Sequence, residues 1–379
     1  MTAANRPTRR TIAIYGGYGF AFAVVALAEV LRLDPILRFV LSVGGLAGGA
    51  VAVGESTERL SERLSPAATG LVQSVLGNLP ELFLAVFALQ AGLVGVVAAA
   101  LVGSVLGNAL FVLGLALVVG GLRHGQLTFS GRPNRLLATE LLLGVAALTV
   151  PFLATQPGGP DFGHDRELSA VVAVVLLAVF GVSVPLALRQ AQPGLGTKPT
   201  AAALGADDPQ SSRDTHATRS AAPPLAQTLV LLAASAGSAA FVADWFVEAL
   251  DPTMAAIGMS EAFAGLIVVA LAGNAIENLA GIGAAARNRG DLAMRLILNS
   301  ALQVVLFLAP VVVLLSFFIA PVPLTLILNP LLLGALAVTA VLVFAIVVDG
   351  EANTLEGALL LGLYAIVGAA VWWGPPIGH

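Results

Sequence analysis

The 379-residue chain has no cysteine, four histidines and only 11% charged residues. Without cysteine there are no disulfides, no thiolate metal sites and no thiol nucleophile. His124, His164, His216 and His379 are scattered through predicted loops and the tail. None sits at helical spacing from a second ligand, so a zinc-dependent intramembrane hydrolase has no metal set to draw on. A serine hydrolase needs a base beside its nucleophile, and none lies near an intramembrane serine. These gaps argue against an enzyme and against a bound cofactor. The net charge of −4 says little, because where the charges sit matters more than their sum. No basic tract points to nucleic acid.

Apolar residues make up 58% of the chain, and its mean hydropathy is +0.94. A typical soluble domain is roughly 25% charged, so the expected partner is a lipid bilayer. At roughly 20 apolar residues per span, eleven runs qualify. They are 11–31, 36–54, 67–90, 93–120, 136–154, 168–188, 226–247, 260–286, 292–316, 321–348 and 355–373. The expected fold class is an all-α polytopic membrane protein.

Placing the N-terminus in the cytoplasm puts 15 of the 18 basic residues inside or at inner helix ends. These are Arg6, Arg9, Arg10, Arg59, Arg63, Arg123, Arg132, Arg135, Arg189, Lys198, Arg213, Arg219, Arg287, Arg289 and Arg295. Only Arg32, Arg38 and Arg166 fall outside. This positive-inside bias predicts a multi-pass plasma-membrane protein with its C-terminus outside. Arg9-Arg10 before an apolar run that ends in Ala26-Leu27-Ala28 can mimic a cleaved export signal. An uncleaved first span with a basic flank accounts for it more simply.

Residues 189–225 are rich in Pro, Ala, Ser, Thr and charge, and read as a cytoplasmic linker. Apart from the first span, five spans precede it and five follow. Five is odd, so the second set enters from the opposite face and is inverted relative to the first, a common transporter design. The organisation is then an N-terminal tail and span (1–34), a first five-helix repeat (35–188), the linker (189–225) and a second repeat (226–379).

Gly77-Asn78-Leu79-Pro80-Glu81 returns 196 residues later as Gly273-Asn274-Ala275-Ile276-Glu277, each in the second span of its half. A glutamate at membrane depth costs about 2.5–3.5 kcal/mol even on lenient scales, so finding one twice in the same setting points to function. Asn78 and Glu81 share a helix face, as do Asn274 and Glu277. Gly77, Pro80 and Gly273 should bend their helices and free carbonyls, which membranes tolerate where they line a cavity or meet a ligand. The expected product is an oxygen cage suited to a hard cation such as Ca²⁺, which takes six to eight oxygens. The following spans add Ser104 and Asn108 in one half and Asn299, Ser300 and Gln303 in the other. At the same offset Ser104 falls on Ser300, and Gly107 on Gln303. Small and amide residues also glue membrane helices together, but aligned serines beside the glutamates favour lining the site. Glu55 and Asp244, with Asp251, are candidates for an acidic vestibule. Solvated helix ends explain Glu58, Glu62 and Glu248, an ion pair with Arg135 explains Glu140, and capping explains Asp349, Glu351 and Glu356.

These residues resemble the cation/proton exchanger branch of the calcium/cation antiporter superfamily over nearly the whole chain. Gly54-Glu55-Ser56-Thr57-Glu58-Arg59-Leu60, segments 77–121 and 273–303, and Asp349-Gly350-Glu351 with Leu355-Glu356-Gly357 and Tyr364 carry the resemblance. It implies two sodium/calcium exchanger-type repeats and alternate binding of Ca²⁺ or protons at Glu81 and Glu277. The transported ions are then Ca²⁺ and H⁺, with homo-oligomerisation left open. A carboxylate pair holds one Ca²⁺ or two protons, not both, so the two compete and their fluxes couple. Gly-Asn, where sodium/calcium exchangers usually carry Gly-Thr-Ser-x-Pro-Glu-like motifs, favours protons. Na⁺-coupled exchange is the alternative. Asn278 stands where the family often has His, and Ala270 where Pro is common. The first removes a titratable group.

Overall fold

A computed structural model describes residues 9–64, 66–190 and 225–373. Most of the 189–225 linker lies outside these residues, as do the first eight residues and the last six. The order is α1 (Arg9–Val30), α2 (Pro35–Ser61), α3 (Pro66–Gly77), α4 (Leu79–Gln90), α5 (Val94–Leu106), α6 (Leu113–His124), β1 (Gln126–Thr128), α7 (Gly131–Ala154) and α8 (Asp165–Gln190). The second half runs α9 (Leu225–Ile257), α10 (Glu261–Phe263), α11 (Ala270–Gly273), α12 (Ala275–Ala285), α13 (Gly290–Gln303), α14 (Ala309–Ile319), α15 (Pro330–Asp349), β2 (Glu351–Asn353) and α16 (Thr354–Trp372). Three π-helical stretches, Gly107–Val112, Ala264–Val269 and Val304–Leu308, join α5 to α6, α10 to α11 and α13 to α14.

The chain is therefore an all-α polytopic membrane protein. Among the described residues nine helices are long and apolar enough to cross a bilayer, or ten if the bent pair Glu261–Gly273 and Asn278–Ala285 is one span. The third expected run, 67–90, is two helices of 12 residues each, α3 and α4, interrupted at Asn78. At 1.5 Å per residue neither alone covers a hydrocarbon core of about 30 Å. Expected ends also moved. α2 continues to Ser61, so Glu55 and Glu58 lie on the helix rather than after it, and α9 runs on through Pro252 to Ile257. Glu140 forms no ion pair with Arg135, whose Nε donates to the Gly131 carbonyl 2.8 Å away. Five residues apart on a helix are not on one face.

The halves interlock rather than sitting side by side. α2 packs along α9, its counterpart, in the most extensive contact of the molecule, and α4 of the first half also lies on α9. A frame of α6, α7, α15 and α16 stands beside this pair. α6 and α16 cross closely because Gly114 and Gly357 face each other; a Cβ at Gly114 would come within 2.9 Å of the Gly357 carbonyl oxygen. At one end of the frame, β1 and β2 pair antiparallel, with Leu127 opposite Ala352 and fully buried. Gly125 (φ 85°) and Gly350 (φ 76°) turn the chain into these strands in the left-handed region that glycine enters without steric cost. Asn353 then caps α16 in a reciprocal box with Glu356, the capping role expected for that glutamate. The side bearing this sheet is called the sheet face below; by alternation α2 ends and α3 begins there.

α1 has no counterpart in the second half. It packs on α2 and α9, with Tyr15 Oη 2.8 Å from Ser56 Oγ and Tyr18 Oη donating to Ser238 Oγ at 2.9 Å.

Candidate ion site

Both glutamate motifs break their helices at the asparagine, with nearly the same backbone. Asn78 has φ −90° and ψ 12°, and Asn274 has φ −93° and ψ 11°. Pro80, near the start of α4, cannot donate to the preceding turn, which explains the first break. The second has no proline and occurs at the same point. What they share is an asparagine whose Nδ2 donates to the carbonyl four residues back, Asn78 to Ser74 at 2.6 Å and Asn274 to Ala270 at 3.1 Å. The side-chain amide thus binds a carbonyl at the broken helix end; the Ala270 carbonyl also takes the Asn274 backbone N–H at 3.3 Å.

The second amide hydrogen of each asparagine crosses to the opposite repeat. Asn274 Nδ2 donates to Ser104 Oγ on α5 at 3.0 Å, and Asn78 Nδ2 donates to Gln303 Oε1 on α13 at 3.1 Å. Both asparagines are buried, as are Ser104, Ser300 and Asn108. With both amide hydrogens committed, what each asparagine can offer a ligand is Oδ1, an oxygen suited to a hard cation. Asn108 Nδ2 donates to the Ser104 carbonyl at 2.8 Å and so steadies the turn that carries Ser104. The π-helical stretches Gly107–Val112 and Val304–Leu308 follow Ser104 and Ser300 in both repeats, and such irregularities concentrate at functional sites.

Glu81 is half-buried, and its carboxyl group lies against Gly273 of the other motif. A Cβ at Gly273 would sit 3.0 Å from Glu81 Cγ and 3.4 Å from its Oε1. Gly273 therefore does more than permit a bend: it leaves the space in which the opposite carboxylate rests. Glu277 lies on α12 three residues past the break at Asn274, but its side chain falls outside the described part of the structure. Gly77 has no described atom within 4 Å of its Cβ position. Glu81, Asn78, Asn274, Ser104 and Gln303 are thus drawn together from both repeats, and Ser300 sits one turn from Gln303.

The vestibule candidates lie apart, toward opposite ends of the α2–α9 pair. Glu55 is held by Arg59, 3.0 Å away, and Arg59 also reaches Thr11 on α1. Asp244 is half-buried within electrostatic reach of Glu29. Glu29 in turn is bound by Arg38, which also lies 3.6 Å from Glu248. Neither acid stands in a purely acidic patch.

The two routes to Glu81 are unequal. Away from the sheet, a narrow apolar cavity runs from Glu81 past Leu84, Val97, Leu101, Phe246 and Leu250. Beside it α5 and the Ala264–Val269 stretch pack backbone against backbone. A Cβ on Gly103 would lie 2.7 Å from the Leu266 carbonyl carbon, and one on Gly265 would lie 2.7 Å from Ala99 Cβ. On the sheet face the matching helices are α13 and α3. Among the described residues α3 packs along α2 and α8 instead, reaching α13 through Ser74 and the Asn78 break. Asn299, which aligns with buried Gly103, is exposed on α13, with Arg295 and Gln303 partly accessible on the same stripe.

Ser74 is a residue that sequence reasoning missed. Its carbonyl takes Asn78 and its hydroxyl takes Gln303 Nε2 at 3.3 Å. The available signal was a hydroxyl four residues before the motif asparagine, on the same helix face. Asn278 is buried with its Oδ1 unpaired among the described residues, as is the Tyr364 hydroxyl.

Comparison with known proteins places this arrangement. The Ca(2+)/H(+) antiporter of Synechocystis is 34% identical over 89% of this chain and 91% of its own length. That of Aphanothece halophytica is 29% identical over 96% and 97%. The Ca(2+)/H(+) antiporter ChaA of Bacillus subtilis is 32% identical over 83% and 86%. Among solved structures, native YfkE superposes with a TM-score of 0.76 at 26% identity, covering 95% of this chain and 99% of that one. The H+/Ca2+ exchanger CAX superposes at 0.72 and 16% identity over 96% and 92%, a likeness of fold. The sodium/calcium exchanger protein family matches residues 35–189 and 227–373, and the chain belongs to that family.

Proposed function

We infer that this protein is an antiporter that exchanges Ca²⁺ for H⁺ by alternating access. The observation that carries this is the seat of the Glu81 carboxyl on Gly273 of the opposite motif, flanked by the cross-repeat bonds Asn78–Gln303 and Asn274–Ser104. An inverted pair of half-sites meeting at one carboxylate is what a midplane transport site requires. Its curated relatives bear the name Ca(2+)/H(+) antiporter.

In this reading Glu81 and Glu277 are the exchanged charges. Two carboxylates neutralise one Ca²⁺, which offsets most of the cost of burying either partner alone. When the ion leaves, each carboxylate takes a proton, because a bare pair at membrane depth is costlier than a neutral one. Asn78 Oδ1, Asn274 Oδ1, Ser104 and Ser300 supply neutral oxygens, and Asn108 supports Ser104. Glu55 and Asp244 are entry-side charges at most, since each already faces other ionised groups.

The sheet face is the cytoplasmic one. It carries the ends bearing Arg59, Arg63, Arg123, Arg132, Arg135, Arg287 and Arg289, while Arg32, Arg38 and Arg166 lie opposite. In a plasma membrane the open route then faces the cytosol, and Ca²⁺ leaves the cell as protons enter.

The test is Ca²⁺ movement in sealed proteoliposomes under an imposed pH gradient, then under a Na⁺ gradient. A pH gradient should drive Ca²⁺ uphill, and Glu81→Gln should abolish this while the purified protein keeps its folded elution profile. Flux driven by Na⁺ and indifferent to pH would replace the proton assignment by Na⁺-coupled exchange.

A further inference from the structure

The two cross-repeat bonds are not equivalent. At the offset of 196, Asn274 corresponds to Asn78 and Ser104 to Ser300. The mirror image of the Asn274–Ser104 bond would therefore be Asn78–Ser300. Instead Asn78 donates to Gln303, three residues further along α13. The difference coincides with the packing. The bond in the serine register belongs to the half where α5 packs closely on the Ala264–Val269 stretch, and the displaced bond to the half where, among the described residues, α13 has little packing on α3. Gln303 is also tied to α3 through Ser74 Oγ, so its amide spans the two sides of the open half. Its Oε1 accepts from Asn78 and its Nε2 donates to Ser74, so both ends of the amide are engaged.

No such strut is possible in the other repeat. Gln303 aligns with Gly107, which has no side chain, and the nearest atoms to a Cβ there are Leu271 Cδ2 at 3.9 Å and Tyr364 Oη at 4.0 Å. There is room for a Cβ, but no side chain is there to reach across. When the opposite half opens, Asn274 would leave Ser104 and find no amide one turn on.

We propose that Gln303 is a one-sided positioning residue, which holds Asn78 one turn away from its serine register and thereby favours the conformation open on the sheet face. The proposal rests on the alternating-access reading above and adds which state the empty protein prefers and which side chain sets the preference.

The cysteine-free chain allows a direct test. A single cysteine at Asn299 reports the sheet-face route, and a single cysteine at Ala100, partly buried beside the Glu81 cavity, reports the other. Each is labelled with a membrane-impermeant maleimide from its own side of oriented vesicles, without Ca²⁺ or any gradient. Gln303→Met keeps the length and removes both bonds. It should slow labelling at 299 by roughly threefold to tenfold, the weight of one or two net hydrogen bonds, and speed labelling at 100. Gly107→Gln, which installs the missing strut in the other half, should move both rates the same way. Unchanged rates in Gln303→Met would overturn the proposal, and so would a rise at both positions, which marks loosened packing rather than a shifted equilibrium. If the two sites fail to trade accessibility in the otherwise unmutated reporters across Ca²⁺ and pH as well, alternating access itself falls.

Discussion

On the side away from the sheet, α5 crosses the Ala264–Val269 stretch with backbone against backbone, at Gly103 and Gly265. On the sheet side the same two elements of the inverted copy, α13 and α3, carry Asn299 and Thr69 at those positions, and Asn299 is exposed. One pair can seal a route in hydrocarbon-like dryness because neither helix has a side chain at the crossing. The other carries polar side chains at the matching positions, and Thr69 spends its hydroxyl on the Ser61 carbonyl 3.1 Å away. Equivalent folds with unlike residues at two crossing points thus give one close, side-chain-free contact and one looser, polar one.

The strongest way to break this comparison is at the carboxylates. Glu81→Gln and Glu277→Gln should each bring pH-driven Ca²⁺ flux in proteoliposomes to the level of protein-free vesicles. Substantial flux in one of the two would mean that the halves do not share a single ion. Next comes the crossing itself. Gly103→Ala drives a methyl into the Leu266 backbone and should destabilise by about 1–3 kcal/mol as an overpacking change, visible as a lowered melting temperature in detergent. Asn299→Ala, at the aligned position, should move the melting temperature far less because its side chain is exposed. Equal shifts in the two variants would erase the distinction between closed and open halves. Smaller still is the effect expected at α1. Tyr18→Phe removes the hydroxyl bond to Ser238 and should cost about 1 kcal/mol, leaving the coupling of flux to the pH gradient intact.

The repeat, the broken helices and the meeting of the two motifs could be read from the sequence, because each rests on local chemistry. Gly-Asn-x-x-Glu carries its own helix breaker, and a spacing of 196 residues shared by Ser104 and Ser300 shows that the copies are in register. The span count was less legible at 67–90, since hydropathy measures apolar length and is blind to an interruption at Asn78. The ion pair expected of Glu140 fails because nearness to Arg135 in sequence is not nearness on a helix face. The unequal routes could not be seen at all. Gly103 and Asn299 look like unrelated residues until backbone packing shows that one is pressed against Leu266 and the other is uncovered. Likewise the part played by Gly273 depends on where a side chain from the other half comes to rest.

The small sheet formed by β1 and β2 has a mechanical consequence. Its strands stitch the end of α6 in one repeat to the start of α16 in the other. Two halves fastened there cannot part like the covers of a book. Movement of one repeat at that end is therefore passed to the other through the strand pair.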